Sequence, residues 1–149
     1  MKPSLSLSIM ILYKDFTAFC DKKLKETGLT RGLLYFLLYI GKHPQCAPAA
    51  LSKDLHYDFG HTQRCLAKLE EGGFLRREKN PRDKRASLLA LSPKGEQVFV
   101  MSHTLFTDWD AEALAGLSPQ ERAQLTESLG RILAAKGGEH DVRNFVQPD

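Results

Sequence analysis

The sequence of 149 residues is poor in cysteine, and the arrangement of its cysteines excludes two classes of small protein. It has three, at wide spacing and without a CxxC pair, which excludes a disulfide framework and a structural zinc module. His61 and Cys65 stand four residues apart on a predicted helix, but no second close pair completes a tetrahedral ligand set. We therefore predict reduced thiols at Cys20, Cys46 and Cys65, and neither a metal site nor a cofactor.

Long apolar runs are also missing. No segment approaches the roughly 18 uninterrupted apolar residues that a membrane span requires. The first residues lead into an alternation of serine and leucine, without a clean apolar core or a small-residue cleavage site, so no secretory signal is predicted. We expect a cytoplasmic protein that does not enter a membrane.

Motifs for enzymatic chemistry are absent as well. The sequence has no glycine-rich phosphate loop, no zinc-protease spacing and no nucleophile elbow, and its serine and histidine residues form no recognisable triad. An enzyme is therefore not expected. The length is that of one domain, or of a small domain with helical extensions.

Positive charge is modest overall but concentrated in one segment. The formal net charge is +3, which is too small to prove a nucleic-acid partner. Residues 76–85 contain six arginines and lysines against Glu78 and Asp83, a net charge of +4. The rest of the chain is therefore close to neutral, and the distribution predicts a folded body with one basic projection.

The basic segment has the sequence of a β-hairpin. The polar run NPRDKR at residues 80–85 lies between the apolar segments 73–75 and 88–91, which predicts two strands joined by a tight turn. On a projecting hairpin, the Arg85 guanidinium can enter a DNA minor groove, and Asp83 can hold it in its fork geometry. Taken alone, the run fits a solvated, charged turn equally well.

Apolar spacing and capping residues predict six helices around this hairpin, and hence a mainly α-helical fold. The expected N-cap residues are Thr30, Asp58, Ser92 and Ser118, and Glu121 stands at capping-box spacing from Ser118. The predicted helices are 8–26, from Thr30 to Gly41, 48–55, 59–71, onward from Ser92-Pro93, and from Ser118-Pro119 to Gly137.

The third and fourth predicted helices have the layout of a helix-turn-helix. Residues 62, 66 and 69 are spaced to bury one face of the fourth helix. The opposite face carries Gly60, His61, Gln63, Arg64 and Lys68. Glutamine can read adenine, arginine can read guanine, and histidine can reach a base edge or a phosphate. An isolated helix of this kind is more often a solvated surface, but the basic hairpin that follows it favours a winged helix.

With these motifs the sequence resembles the MarR family of bacterial regulators. The similar runs are ALSKDL at 50–55, KLEEGGFLRR at 68–77, NPRDKR at 80–85 and LALSPKG at 89–95. The resemblance implies a winged helix-turn-helix with N- and C-terminal dimerisation helices, working as a homodimeric repressor or activator on double-stranded DNA. It also implies a small-molecule pocket between the dimerisation region and the DNA-binding lobes.

Carried over by position, the resemblance implies that Asp83 and Arg85 are the acidic support and the groove-inserted arginine of the wing. Together with the recognition helix and its basic neighbours, the predicted DNA-binding residues are Gly60, His61, Gln63, Arg64, Lys68, Arg82, Asp83, Lys84 and Arg85. The sequence departs from the family where His56-Tyr57 replaces Gly-Leu, where Phe59-Gly60 replaces more polar residues, and where Asn80 replaces Asp. These departures leave the preferred DNA sequence open.

The expected organisation is one continuous unit with a winged-helix DNA-binding lobe at 30–95 and dimerisation helices at 1–29 and 96–149. Two terminal helices cannot both bury wide apolar faces against so small a centre, so some surface is left for a second copy. The residues expected at the dimer interface are Leu12, Phe16, Leu125, Leu129, Ile132 and Leu133.

The switch has two candidate forms. One branch of the resembled family senses hydroperoxides through a cysteine near the first helix with tyrosines of the second helix beside it, which makes Cys20, with Tyr35 and Tyr39, a redox candidate. Only Lys22 and Lys23 are evident near Cys20 to lower its pKa, so we favour a packing role for this thiol. From the resemblance alone, the expected effector is then a small aromatic acid or similar planar ligand that releases a repressor from its operator.

Overall fold

The computed structural model describes Lys2 and residues 4–136, and within this part the chain forms six α-helices and one two-stranded antiparallel sheet. The helices are α1 Leu5–Leu24, α2 Arg31–Lys42, α3 Pro48–Asp54, α4 Phe59–Glu71, α5 Pro93–Ala113 and α6 Pro119–Ala135. The strands are β1 Leu75–Asn80 and β2 Asp83–Leu91, and a 3-10 turn, Lys25–Thr27, follows α1. The predicted mainly helical fold with a hairpin is confirmed. Residues 137–149 of the expected C-terminal dimerisation segment lie outside the described residues.

The described residues contain neither a membrane-spanning helix nor a cluster of metal-binding side chains. None of the helices there is both long and apolar enough to cross a membrane. No group of three or more histidine, cysteine, aspartate or glutamate side chains there is arranged to hold a metal ion.

Helix starts follow the capping residues closely. The Asp58 carboxylate accepts a hydrogen bond from the His61 amide at 2.8 Å. The Ser92 hydroxyl likewise accepts one from the Gly95 amide at 3.0 Å. Ser118 and Glu121 form the full capping box, with distances of 3.2 and 2.8 Å. Such caps each stabilise a helix by about 1 kcal/mol. Thr30 stands at the N-cap position of α2 as expected, but its side chain makes no capping hydrogen bond.

The core lies where α2 crosses the other elements. Helix α2 is apolar nearly all round, and its central residues, 36–40, are all at most 2% exposed. Full burial of one large apolar side chain stabilises a fold by about 1.5–3 kcal/mol, so the five buried residues of α2 contribute strongly to the stability of the fold. The fully buried partners that pack in the same cluster are Leu51 of α3, Leu66 and Leu69 of α4, and Leu89 of β2.

A left-handed residue makes the turn between α3 and α4. His56 has φ 56°, a conformation that a non-glycine residue adopts at a cost of about 1 kcal/mol. The turn is closed by two hydrogen bonds between Ser52 and Tyr57: the Ser52 hydroxyl donates to the Tyr57 carbonyl at 2.7 Å, and the Tyr57 amide donates to the Ser52 carbonyl at 3.2 Å. The orientation of α4 relative to α3 is therefore set by backbone contacts as well as by packing.

The hairpin, residues 75–91, is held at its base and projects at its tip. Leu75 pairs with Leu91 at the base, and the regular register ends where Lys79 pairs with Ser87. On its other edge, β2 exchanges two hydrogen bonds with the segment before α3, in which the Leu89 amide donates to the Cys46 carbonyl at 2.8 Å. The base is buried, whereas residues 81–85 at the tip are exposed. We call this hairpin the wing.

The terminal helices keep large apolar surfaces uncovered within one chain. Phe16 is half-buried, because its ring packs against Phe106 and Trp109 of α5 with centroids 5.5 and 5.2 Å away. The indole nitrogen of Trp109 also donates to the Asp15 carboxylate at 2.9 Å, so α1 is fixed to α5. No residue of α6 is buried. The exposed apolar side chains of α1 and α6 are Leu5, Leu7, Ile9, Met10, Ile11, Leu12, Tyr13, Leu125, Leu129, Ile132 and Leu133.

Candidate nucleic-acid interface

Helix α4 has one buried face and one accessible face, as its sequence predicts. Thr62, Leu66 and Leu69 are 0% exposed. On the accessible face Arg64 and Lys68 are exposed, and Gln63 is half-buried. Gly60 and His61 complete this surface, and we call these five residues, 60, 61, 63, 64 and 68, the recognition face. Their side chains offer amide, guanidinium and ammonium groups, which are the groups that bind base edges and phosphates.

Contacts within the chain restrict the His61 side chain, although this residue lies on the recognition face. Its ring centroid lies 5.1 Å from that of Tyr57 and 5.9 Å from that of Phe36, and its Nε2 atom lies 3.5 Å from the Cys65 sulfur. Tyr57 in turn stacks on Phe36 at 5.3 Å. The imidazole therefore braces the start of α4 against α2, and it presents only part of its edge outward.

Gly60 leaves space beside the first turn of α4, because it has no side chain. A Cβ atom at this position would lie 3.2 Å from the Asp58 carboxylate and 3.4 Å from the Arg64 guanidinium. The missing side chain thus leaves room for the cap and for the arginine side chain one turn later. It also allows the helix backbone to approach a ligand closely.

The six basic residues of the wing fall into two groups. Arg76 pairs with Glu78 at 3.3 Å, and Arg77 pairs with Glu70 of α4 at 3.0 Å. The other four basic residues make no ion pair with any residue that the structure describes, and they are all exposed: Lys79, Arg82, Lys84 and Arg85. Uncompensated positive charge is therefore concentrated at the tip, where a polyanion can reach it.

Asp83 orders the tip through the backbone. Its carboxylate accepts a hydrogen bond from the Arg85 backbone amide at 3.0 Å, and the Asn80 side-chain oxygen accepts one from the Arg82 backbone amide at 3.0 Å. The expected contact between Asp83 and the Arg85 guanidinium is not the one that the structure shows. Asp83 instead fixes the local backbone and leaves the Arg85 side chain exposed.

Contacts that the sequence did not indicate connect the wing to the recognition helix. Besides its pair with Glu70, Arg77 lies 3.4 Å from the Ser87 hydroxyl, so this arginine is a structural bridge. The Lys94 ammonium donates to the Gly72 carbonyl at 2.8 Å and lies 4.4 Å from the centroid of the Phe74 ring. These contacts join the end of α4, the base of the wing and the start of α5, and they set the spacing between the recognition face and the wing tip.

Comparisons with known proteins agree with this geometry. A profile of the MarR family matches residues 29–87. The HTH-type transcriptional regulator BilQ of Clostridium symbiosum is 37% identical over 132 residues, which cover 89% of this chain and 92% of that protein. The chain belongs to the MarR family. It is therefore a transcriptional regulator rather than an enzyme.

Solved structures show the same fold. The reduced form of MarR from E. coli is 27% identical, with a TM-score of 0.77 over 89% of this chain and 98% of that chain. FabT of Streptococcus pneumoniae, solved in complex with DNA, is 20% identical, with a TM-score of 0.78 over 87% of this chain and 93% of that chain. Because FabT is only 20% identical, its similarity establishes the winged-helix fold of this chain and no more.

In this MarR-family chain an open cleft of about 380 Å³ lies between the 3-10 turn and α5. Glu26 and Thr27 line one side, and Lys94, Gln97, Val98 and Met101 line the other. Glu26 gives the lining a negative charge and Lys94 a positive one, and Val98 and Met101 contribute apolar surface. Because Lys94 also holds the Gly72 carbonyl at the end of α4, this cleft adjoins the contact that positions the recognition helix.

Cys20, the redox candidate, is 1% exposed. Burial is the main cause that raises the pKa of its thiol from 9.0 to about 11, and the Asp21 carboxylate adds to the increase. The positive charge of Arg31 lowers this pKa, and the sequence did not indicate this arginine as a basic neighbour of Cys20. A protonated, covered thiol has the character of a packing residue.

Proposed function

We propose that the protein is a homodimeric repressor that binds a pseudo-palindromic operator and releases it when a small planar ligand binds. The observation that carries this proposal is the recognition face of α4 beside a wing that has four exposed basic residues outside any described ion pair, three of them at its tip. In this proposal residues 30–95 are the DNA-binding lobe, and 1–29 with 96–149 are the dimerisation helices. A DNA partner also implies that the protein works in the cytoplasm.

The recognition face and the wing tip have different tasks in this proposal. Gln63 and Arg64 read base edges in the major groove, where their paired donors and acceptors match adenine and guanine. Arg85 enters the adjacent minor groove, where the negative potential is strongest. Three other exposed cations, Lys68, Arg82 and Lys84, neutralise phosphates, and Gly60 and the edge of His61 line the approach to the bases. The DNA-bound structure of FabT supports the use of this fold on duplex DNA.

The exposed apolar residues of α1 and α6 support a homodimer. Monomeric soluble proteins rarely expose contiguous apolar patches larger than a few hundred Å². A second copy can cover this surface and also satisfy the geometry of an operator, because two recognition helices must stand roughly 34 Å apart to enter successive major grooves. Leu12 of α1 and the row Leu125, Leu129, Ile132 and Leu133 of α6 are the interface residues in this proposal, with Phe16 beneath them.

The α5 cleft supports release by a small ligand. An aromatic acid would place its ring against Val98 and Met101 and its carboxylate near Lys94. A carboxylate competes with the Gly72 carbonyl for the Lys94 ammonium, because an ion pair is stronger than a hydrogen bond to a neutral acceptor. Loss of the contact between Lys94 and Gly72 would loosen the junction of α4 and the wing. Redox sensing by Cys20 is the less supported alternative, since this thiol is buried and protonated.

Selection from randomised duplex DNA tests the assignment of the recognition face. Wild type should return one pseudo-palindromic site. Gln63→Ala and Arg64→Ala should each relax the preference at particular base pairs, whereas Lys68→Ala should lower affinity for all sequences alike. Return of the same preferred site by wild type and both recognition variants would show that the bases are read elsewhere.

A further inference from the structure

One aromatic side chain at the start of α4 is exposed and is not part of the core. Phe59 is the first residue of α4 and is 52% exposed. It belongs neither to the buried core cluster nor to the partly buried residues packed against that cluster. Its neighbour Tyr57 is also exposed, at 42%, but the Tyr57 ring is stacked on Phe36. Packing within the chain therefore does not account for Phe59.

The neighbours of Phe59 in the chain and one turn later on α4 are polar or lack a side chain. Asp58 precedes it, Gly60 follows it without a side chain, and Gln63 and Arg64 lie one helical turn later. The exposed apolar surfaces of the terminal helices are on other elements. A lone ring in such a setting favours contact with a mainly polar partner that carries isolated apolar groups.

Duplex DNA is such a partner. In the major groove, the C5 methyl group of thymine is the apolar group among the hydrogen-bonding edges of the bases, and phenylalanine is one of the side chains that pack on it. The N-terminal residues of a recognition helix are those that contact base edges. Phe59 occupies that position, and the bare backbone at Gly60 lets the first turn approach the groove closely.

The spacing along α4 identifies the base pair. Phe59 and Gln63 are four residues apart, so their side chains lie on the same side of the helix. Glutamine pairs with adenine, whose complement is thymine. We infer that Phe59 is a specificity-determining residue that packs on the methyl group of a thymine at or beside the adenine read by Gln63. This inference rests on the proposed function.

Deoxyuridine provides the test, since it lacks the methyl group of thymine but keeps every hydrogen-bonding group. The operator selected by the wild type would be synthesised with each thymine replaced singly by deoxyuridine, and affinities would be measured by fluorescence anisotropy. At one thymine of each half-site, loss of the methyl group should weaken wild-type binding about fourfold. Replacement of the other thymines should change affinity less than about twofold.

Two variants locate the effect. Phe59→Ser should bind the thymine and deoxyuridine operators equally, and Phe59→Leu should keep part of the difference. Thermal unfolding of both variants should match that of the wild type, because Phe59 is outside the core. Equal wild-type affinities for thymine and deoxyuridine would contradict the inference without any variant, and if one variant fails to fold, the other still assigns a methyl effect to Phe59.

Different results would contradict this inference and the proposed function. Equal wild-type affinity for thymine and deoxyuridine at every position would overturn this inference and leave the proposed function intact. An undiminished methyl effect in Phe59→Ser would also overturn it. Failure of the wild type to select any site would overturn the proposed function, and this inference with it.

Discussion

The Tyr39 hydroxyl donates a hydrogen bond to the Asp54 carboxylate at 2.6 Å, and this contact joins the core helix α2 to the last residue of α3. Tyr39 is 2% exposed, and the His43 ring stacks on it with centroids 4.2 Å apart. Burial, followed by the hydrogen bond with Asp54, raises the pKa of Tyr39 above its usual value of 10.0. The first helix of the helix-turn-helix is thus fixed by a tyrosine that must stay protonated.

Tyr39→Phe should therefore destabilise the protein by about 1–2 kcal/mol at pH 7, since one hydrogen bond to a charged group is lost. The pKa of Tyr39 is higher in the folded than in the unfolded chain, so its stabilising effect is complete below pH 10 and is lost as the pH rises further. Urea unfolding at pH 7 and at pH 10–11 should show a smaller alkaline loss in Tyr39→Phe than in the wild type. The same alkaline loss in wild type and Tyr39→Phe would contradict the role of this contact.

Assembly is tested on α6. Ile132→Glu should produce monomer or unfolded chain, because burial of an unpaired charge costs several kcal/mol. Ala123→Glu adds the same charge nine residues earlier, which is about half a turn round the helix at 3.6 residues per turn, and it should remain dimeric. Sedimentation at micromolar concentration distinguishes the two. Monomeric wild type under these conditions would refute both the homodimer and the operator geometry.

Cys20 should be chemically inert in the native protein. With a pKa of about 11 and 1% exposure, its thiol should react with iodoacetamide far more slowly at pH 7.5 than in the denatured chain. Dilute hydroperoxide should leave DNA binding unchanged, or change it equally in the wild type and in Cys20→Ser. Peptide mapping of the alkylated protein and anisotropy after peroxide treatment are the measurements. Peroxide release of DNA that disappears in Cys20→Ser would establish the redox alternative.

Features set by neighbouring residues could be predicted from the sequence. Asp58 caps α4, and Ser118 with Glu121 forms the capping box, because both depend on residues three positions apart. The buried face of α4 could be predicted as well, because apolar residues at three- and four-residue spacing have one environment in a helix. The order of helices and the position of the hairpin follow from such local patterns.

Contacts between distant segments could not be predicted. Asp15 and Trp109 are 94 residues apart, and nothing in the spacing of either indicates their hydrogen bond. Arg77 stands among the basic residues of the hairpin, yet its pair with Glu70 makes it structural. Arg31 affects Cys20 only because the folded chain brings the start of α2 near the end of α1. Each of these three contacts depends on how the helices and strands pack against one another, and local patterns in a single sequence do not reveal that packing.

DNA binding by the wing tip is tested most directly by the salt dependence of Arg85→Ala on the selected operator. Fluorescence anisotropy would be measured from low to moderate salt for the wild type, for Arg85→Ala and for Lys22→Ala, which removes one exposed positive charge from α1. Wild-type affinity should fall steeply with salt, with a log–log slope of about −0.9 for each phosphate neutralised. Arg85→Ala should weaken binding about 10- to 100-fold with an unchanged melting temperature, and Lys22→Ala should bind like the wild type. Equal affinities and equal salt slopes for all three proteins would contradict the role of the wing in binding DNA.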